Sequence, residues 1–402
     1  MSNTFDAIPQ DDRIANAIQK LKSELRVVGQ NSIPLAEANG RVLAQDILAF
    51  RDSPSIDVSA MDGYAVRIDD LNGLALPVIG TATAGSTPID LHPQSAVRVF
   101  TGGPVPAQAQ CVVRREDCNE SETYVSVCLA ADKVFSGMNI RRQGENVRTG
   151  ELAVPRGTLL SANRFAGACT FLESDPVSVF QKVRISIINT GDELLPMGAP
   201  IQPWQIRDSN GPFLQSILTK HEWVDISRSQ VADDPKAIET LIRERLPLSD
   251  VLLLTGGVSM GDTDYVPDAI QDCGGKVVFH RIPIRPGKPI LGAYGPTGQL
   301  ILGLPGNPLS VAVTFRRFAL ELIQHVGGFA NSVPACKAIL STDDTKQIPL
   351  TWYRLVKLEP NGQLSLVPTL GSGDIASLVQ ADGFVEIPPN TLSSGIWPFY
   401  AW

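Results

Sequence analysis

At 402 residues the chain is long enough for two to four domains, at roughly 100–200 residues each. A 43% hydrophobic fraction supports packed cores and, with only 19% charged residues, excludes a disordered chain, while 34 Gly and 30 Pro predict many short strands and few long helices. The formal net charge of -8 argues against nucleic-acid binding, which requires a basic face; an anionic small molecule held by a local Arg/Lys cluster stays compatible with it.

The six cysteines, Cys111, Cys118, Cys128, Cys169, Cys273 and Cys336, form no C-x-x-C pair and stand at no zinc spacing to the four His. Reduced, mostly buried thiols in a reducing cytosol are expected. The N-terminus, Met1 to Asp12, has neither a basic n-region nor an apolar h-region. No apolar run approaches the roughly 18 residues that span a bilayer. A cytoplasmic protein is expected.

Along the chain, Ile14, Ala17, Ile18, Leu21 and Leu25 recur at helical spacing, with Gly29 as the stop. From 52 to 140 short apolar runs alternate with Gly and Pro: Leu76–Ile79, Ala96–Phe100, Cys111–Val113 and Tyr124–Leu129. They predict an inserted β-rich domain. Residues 141–181 return to the mixed character of 1–51, so these two stretches are read as one domain. From 182 to 330 strands alternate with helices. Val183–Asn189 is a strand, and Asp208-Ser-Asn-Gly-Pro212 opens a helix with Ser or Asn as its cap. Asp233-Asp-Pro-Lys opens the next. Val251–Leu254 and Leu300–Leu304 are strands, and Pro308 starts a helix running to about His325. Such alternation implies a mostly parallel sheet covered on both faces. Residues 331–402 return to short β segments with turns such as Pro360-Asn-Gly362.

Three of the central strands end in glycine loops: Thr190-Gly191-Asp-Glu193, Thr255-Gly256-Gly257-Val-Ser259, and Leu304-Pro305-Gly306-Asn307-Pro308. In a parallel sheet these ends line one edge, where free backbone N–H groups bind ligands and often phosphates. The Thr255 loop runs on to Asp262 and Asp264, which suggests a divalent cation shared with the ligand. Arg281, Arg285 and Lys288 are punctuated by prolines, predicting a rigid, extended segment of fixed cations suited to an oxyanion. Carboxylates at Asp62, Glu145, Glu193, Asp208, Asp233 and Asp264 are candidates, although a lone carboxylate beside Gly is more often a turn former. The same glycines also serve plain βα turns, and the cations also suit a solvated surface.

Seven motifs occur in one order: Ser59-Ala-Met-Asp-Gly-Tyr-Ala-Val, Thr101-Gly-Gly-Pro-Val-Pro, Asn139-Ile-Arg-Arg-Gln-Gly-Glu, Thr190-Gly-Asp-Glu-Leu, Thr255-Gly-Gly-Val-Ser-Met-Gly-Asp-Thr-Asp-Tyr, Arg285-Pro-Gly-Lys-Pro and Gly303-Leu-Pro-Gly-Asn-Pro-Leu-Ser. With them the chain strongly resembles the molybdopterin molybdenumtransferase family, known as MoeA, which is related to the gephyrin E domain. The resemblance implies a multidomain fold of mixed α/β and β type. Its parts would be a mixed N-terminal domain (1–51 with 141–181), a β-rich insert (52–140), a three-layer α/β molybdopterin-binding domain (182–330) and a β-barrel-like C-terminal domain (331–402). An elongated, L-shaped subunit is implied, in a homodimer with active sites at its interface. A contact with the molybdopterin adenylyltransferase protein is implied too, and no nucleic acid or membrane partner.

The implied reaction inserts molybdate into adenylylated molybdopterin, releasing molybdenum cofactor and AMP with the help of Mg²⁺. The resemblance makes Asp62, Glu193 and Asp264 the leading catalytic and metal-binding carboxylates, with Asp62 and Asp264 facing each other from two subunits. Asp233, Arg285 and Lys288 complete the catalytic set. Substrate binding would fall to Thr101, Glu145, Asn146, Thr190, Gly191, Asp208, Thr255, Gly256, Gly257, Ser259, Arg281, Pro305, Gly306, Asn307, Pro308, Arg354 and Ser372. Two departures stand out. Asn146 replaces the family's usual Asp after Gly-Glu, keeping an oxygen but losing a charge. Arg285 begins a motif that usually starts with Lys, and Arg281 also stands where Lys is frequent; both keep the charge but cannot give up a proton. Two other readings remain: an enzyme that adenylylates molybdopterin, and a non-catalytic pterin-binding scaffold.

Overall fold

The computed structural model describes residues 12–195, 198–259, 264–331 and 336–402. Residues 1–11, and Gly261 and Asp262 of the glycine-rich loop, lie outside the described residues. Contacts divide the chain into two compact units: Asp46–Pro155 with Asn163–Asp175, and Met1–Gln45 with Arg156–Ala162 and Pro176–Trp402.

The larger unit is built on a six-stranded sheet. Val224–Val231, Val183–Thr190, Val251–Thr255 and Leu300–Leu304 lie side by side and parallel. Leu291–Tyr294 and Lys276–His280 extend it antiparallel. Alternate side chains feed two cores. On one face Ile185, Ile187, Leu253 and Leu302 pack with Leu214 and Leu218 of the helix Asn210–Leu218 and with Phe315 and Phe318. On the other, Ile188, Leu252, Leu254 and Ile301 meet Ile238 and Ile242 of Pro235–Arg245 and Val266 and Ile270 of Val266–Asp272. Full burial of each Leu or Ile contributes about 1.5–3 kcal/mol, which explains why the central strands are continuously apolar. The edge strand Val224–Val231 escapes the sequence pattern because half of it faces solvent and carries Asp, Arg and Gln.

The first helix, Asp12–Lys22, stops well before Gly29. The helix expected from Pro308 runs as Pro308–Thr314, a π-helical turn at Phe315–Ala319, and Leu320–Val326. In the C-terminal part, Cys336–Leu340, Thr351–Leu358, Leu364–Leu366, Gly383–Ile387 and Gly395–Ala401 form one sheet. Ile284–Arg285 of the central region joins it, pairing parallel with Thr351–Trp352. The Pro360-Asn-Gly362 turn closes the Thr351–Leu358 and Leu364–Leu366 hairpin as expected.

The smaller unit is β-rich. Its six-stranded sheet runs Cys111–Arg114, Gly63–Val66, Ala96–Val99, Leu76–Ala82, Tyr124–Val127, Cys118–Glu120. Tyr64, Val66, Leu76, Cys111 and Val113 fill one face and Ala65, Val97, Val99 and Val112 the other. All six cysteines are free thiols. The expectation that most are buried is corrected: Cys128, Cys169 and Cys336 are exposed, and only Cys111 is fully buried. Cys128 just follows the strand Tyr124–Val127, Cys336 begins the strand Cys336–Leu340 and Cys169 lies on the open side of the helix Ala162–Phe171, so these thiols gain no cover.

Candidate active site

The parallel register settles where the three glycine loops lie. Asn189 pairs with Thr255, and Thr255 with Leu304, so the strands of the larger unit end level with one another. The loops after Thr190, Thr255 and Leu304 therefore share one edge. Gly256 has φ +89°, and a Cβ there would lie 2.6 Å from the Thr190 carbonyl oxygen. Only glycine lets the two loops come this close. The Gly256 N–H donates to the Leu304 carbonyl, and the Val266 N–H to the Gly257 carbonyl. The second bond brings the start of the helix Val266–Asp272, and half-buried Asp264 two residues before it, to the same loop.

Asp208 lies at the start of the helix Asn210–Leu218. Its Oδ1 accepts from the Gly211 N–H at 3.0 Å, while Ser209 at the cap position makes no side-chain capping bond. The expected Ser or Asn cap is thus replaced by Asp208, whose carboxylate suits the positive end of the helix. Asn210 Nδ2 donates to the Gly306 carbonyl at 2.7 Å, tying this helix to the third loop. Asp192 Oδ1 accepts from the Asp233 N–H at 3.1 Å, joining the loop after Thr190 to the end of the neighbouring strand. Glu193 is exposed and its carboxylate folds back over Gly191. Ser259 is exposed.

The basic segment is extended, as expected, only at Ile284–Arg285, where it pairs as a strand; around that strand it folds back. The Arg281 N–H donates to the Ile290 carbonyl and the Ile282 N–H to the Lys288 carbonyl, closing it into a loop. Ile282, Ile284 and Ile290 are buried in the core, and that burial folds the segment back. Arg281, Arg285 and Lys288 are left exposed on its outer side. Gly287 packs against Thr314 of the helix that begins at Pro308, so the cations and the Pro305–Pro308 loop are carried by one packed group.

Ser372 reaches this loop from the C-terminal part. Its Oγ accepts from Asn307 Nδ2 at 2.8 Å and its carbonyl from the Leu309 N–H at 3.1 Å. Arg354 is held inside the C-terminal sheet: it contacts Asp344 at 2.6 Å, donates to Ser393 Oγ at 2.7 Å and stacks over Trp352. An apolar cleft of about 350 Å³ borders the same loop through Pro308, lined also by Phe213, Ile375, Leu378, Val379 and Trp402.

The smaller unit gathers its own set. Asp62 Oδ1 accepts from both the N–H and the Oγ1 of Thr101, each at 2.8 Å. These two bonds, the backbone one foremost, hold the Asp62 carboxyl below its ordinary value. The third motif is knitted to the first: Ser59 pairs with Ile140, and the Ala60 N–H donates to the Asn139 carbonyl. Arg141 then donates to Glu145 Oε1 at 2.5 Å and to Asn146 Oδ1 at 2.8 Å. The Arg141 bond, with a second from the Arg142 N–H, lowers the Glu145 carboxyl. Arg142 and Gln143 bind Asp57 and Asp52, and Asp52 also accepts twice from Thr149. Glu145 and Asn146 therefore act first as clamps on Arg141.

Among the described residues no group of three His, Cys, Asp or Glu side chains lies close enough to hold a metal ion. The donor type at Asp62, Glu193 and Asp264 suits a hard cation such as Mg²⁺. Sequence reasoning overlooked Asn189 and Asn210. Asn210 was read only as a possible cap; at Asn189 a polar residue stands where an apolar one would serve the packing, and that was the available signal.

Aligned over 408 residues, the chain is 32% identical to the molybdopterin molybdenumtransferase of Nostoc sp., covering 95% of this chain and 90% of that protein. The chain belongs to the molybdopterin molybdenumtransferase family. The enzyme of the same name from Synechococcus elongatus is 33% identical over 369 residues, covering 89% of this chain and 90% of its own. Family models agree: residues 13–171 match the MoeA N-terminal region (domain I and II), 186–325 a probable molybdopterin binding domain, and 337–396 the MoeA C-terminal region (domain IV). The crystal structure of the molybdopterin biosynthesis moeA protein from Pyrococcus horikoshii OT3 is similar across 99% of this chain and 100% of that one, at 26% identity and a TM-score of 0.81. No helix among the described residues is long and apolar enough to cross a membrane.

Proposed function

We propose that this chain is a molybdopterin molybdenumtransferase of molybdenum cofactor biosynthesis, inserting molybdate into adenylylated molybdopterin to give molybdenum cofactor and AMP. The observation that carries the reading is that both motif sets are built in one chain. A glycine-loop edge follows the parallel strands, and the Ser59–Tyr64, Thr101–Gly103 and Asn139–Asn146 motifs are bonded into one patch. An enzyme that only adenylylates molybdopterin needs the first set alone.

In this reading the glycine loops that follow Thr190 and Thr255 bind the substrate phosphates through backbone N–H groups that the sheet and the Asp208 cap leave open. Arg281, Arg285 and Lys288, with Asn307 and Ser372 on the adjoining loop, hold the molybdate dianion. Asp62, Glu193 and Asp264 would hold Mg²⁺, which when bound offsets the charge that develops on AMP as the phosphoanhydride breaks. The Thr101 bonds keep Asp62 ionised for that role. Asp233 and Asp208 line the same edge. Arg354, held by Asp344 and Ser393, would bind the substrate from the C-terminal sheet.

The proposed assembly is a homodimer in which Asp62 of one subunit faces Asp264 of the other. The division into 1–51 with 141–181, 52–140, 182–330 and 331–402 belongs to the same proposal, as does a contact with the adenylyltransferase that supplies the substrate. The test is AMP release from adenylylated molybdopterin on addition of molybdate and Mg²⁺, with a working control enzyme. No release would overturn the reading, and ATP-dependent adenylylation of free molybdopterin by this chain would replace it.

A further inference from the structure

We infer that Asn189 is a positioning residue that sets the distance between the two anion-facing parts of the strand edge; this rests on reading that edge as the face for substrate phosphates. Asn189 is completely buried, one residue before the end of Val183–Thr190. Its side chain shares a sheet face with Ile185 and Ile187, the face that the helix Asn210–Leu218 covers. An apolar residue would continue that pattern.

The carboxamide reaches two ways. Nδ2 donates to Thr255 Oγ1 at 2.6 Å, on the strand paired with it. Oδ1 accepts no hydrogen bond although it is buried. It points at Gly211 in the first turn of the helix, where a Cβ would lie only 2.5 Å away. One side chain therefore spaces the residue before the Gly256–Gly257 turn from the start of the helix whose Asn210 binds the Gly306 carbonyl. Next to it Thr190 Oγ1 is likewise buried without a partner, against Gly256 and Gly257.

A buried acceptor left unpaired destabilises a fold, and replacing both partners of a buried hydrogen bond with apolar groups of the same shape is close to neutral or stabilising. Folding alone would not keep an amide here. Its effect lies in the geometry it imposes: the Thr255 hydroxyl is fixed, so the turn that follows begins from one position. The helix start is held at contact distance from the same group. A substrate bound against the turn meets a frame already in place.

The full-length chain carrying Asn189→Leu, similar in size but without polar atoms, tests this. By leaving the buried Thr255 hydroxyl unpaired it should lower the melting temperature a little, whereas the Asn189→Leu, Thr255→Val double variant should melt at or above the parent. Amide exchange in the 251–259 peptide, measured without substrate, should quicken by about tenfold, and KM for adenylylated molybdopterin should rise about tenfold with kcat nearly unchanged. Thr255→Val, which removes the acceptor, should give the same changes, and the double variant should be no worse than either. A stable Asn189→Leu chain with parental exchange and KM overturns the inference. So does a fall in melting temperature with KM intact, which is a packing role, or additive losses in the double variant. The exchange measurement needs no turnover, so it still decides the matter if the chain releases no AMP.

Discussion

The two units build their sites by different means. In the larger unit the strand-end edge is made of backbone. Register puts Thr190, Thr255 and Leu304 level, and glycine lets the loops touch. In the smaller unit the patch is made of exposed side chains: Asp62 on Thr101, Glu145 and Asn146 on Arg141, Asp57 and Asp52 on Arg142, Gln143 and Thr149. A backbone site is as rigid as the sheet beneath it, so changing it disturbs folding. A side-chain patch in water contributes little to stability, so it can be altered with the fold intact. The lesson is that activity and stability should separate in one unit and move together in the other.

The largest expected effect is on the side-chain patch. Asp62→Ala should lower AMP release by about a hundredfold or more, the scale for removing one charge-stabilising group from a site. The melting temperature should hardly move, because Asp62 is exposed. A stable variant with full turnover would take Asp62 out of the site. Next comes Gly256→Ala. Its Cβ would meet the Thr190 carbonyl at 2.6 Å with φ +89°, costing about 1–3 kcal/mol. Thermal melts and KM should worsen together; a change in only one would break the contrast between the units. Arg285→Ala should raise the KM for molybdate by about tenfold, and Arg285→Lys by less, the lost partner being one charged hydrogen bond. Titrating molybdate at fixed pterin substrate reads this directly.

The acid response sharpens the comparison further. Asp62, Asp52 and Glu145 are all held below their ordinary values by hydrogen bonds. Their contribution to the patch is complete above the ordinary values of 3.8 for Asp and 4.5 for Glu. It fades as pH falls through the lowered folded values. Thr101→Val removes one of the two donors to Asp62, so carboxyl titration followed by NMR should show the Asp62 transition move back up toward 3.8. The smallest effect belongs to Asn146→Asp. The Arg141 bond through Oδ1 survives that change, so turnover should stay within about threefold and the ion pair should tighten slightly, an effect of exposed pairs worth at most about 1 kcal/mol.

Some of this could be read from residue order alone, and some could not. Val251–Leu254 and Leu300–Leu304 were legible as buried strands because every side chain is apolar, and the glycine that follows each marks a loop. The edge strand Val224–Val231 was not, because its polar face hides the period. Prolines around Arg285 suggested extension, which holds at the strand Ile284–Arg285, while three buried isoleucines close the rest of the segment into a loop. The cap at Asn210–Leu218 went to Asp208, one position earlier than the chain suggested.

The sequence by itself determined the family, the α/β and β succession, and which loops carry glycine beside Thr and carboxylate, because apolar period and motif order are local properties. Tertiary structure decided what those loops touch. Ser372 lies 65 residues from Asn307 and bonds to it; Thr101 lies 39 residues from Asp62 and fixes it. In the sequence Asn189 is only the last residue of an expected strand, and only the parallel register and the closeness of Gly211 reveal it as a spacer. Such partners are set by how strands align and helices dock, which depends on summed burial across the sheet and not on any local stretch of chain.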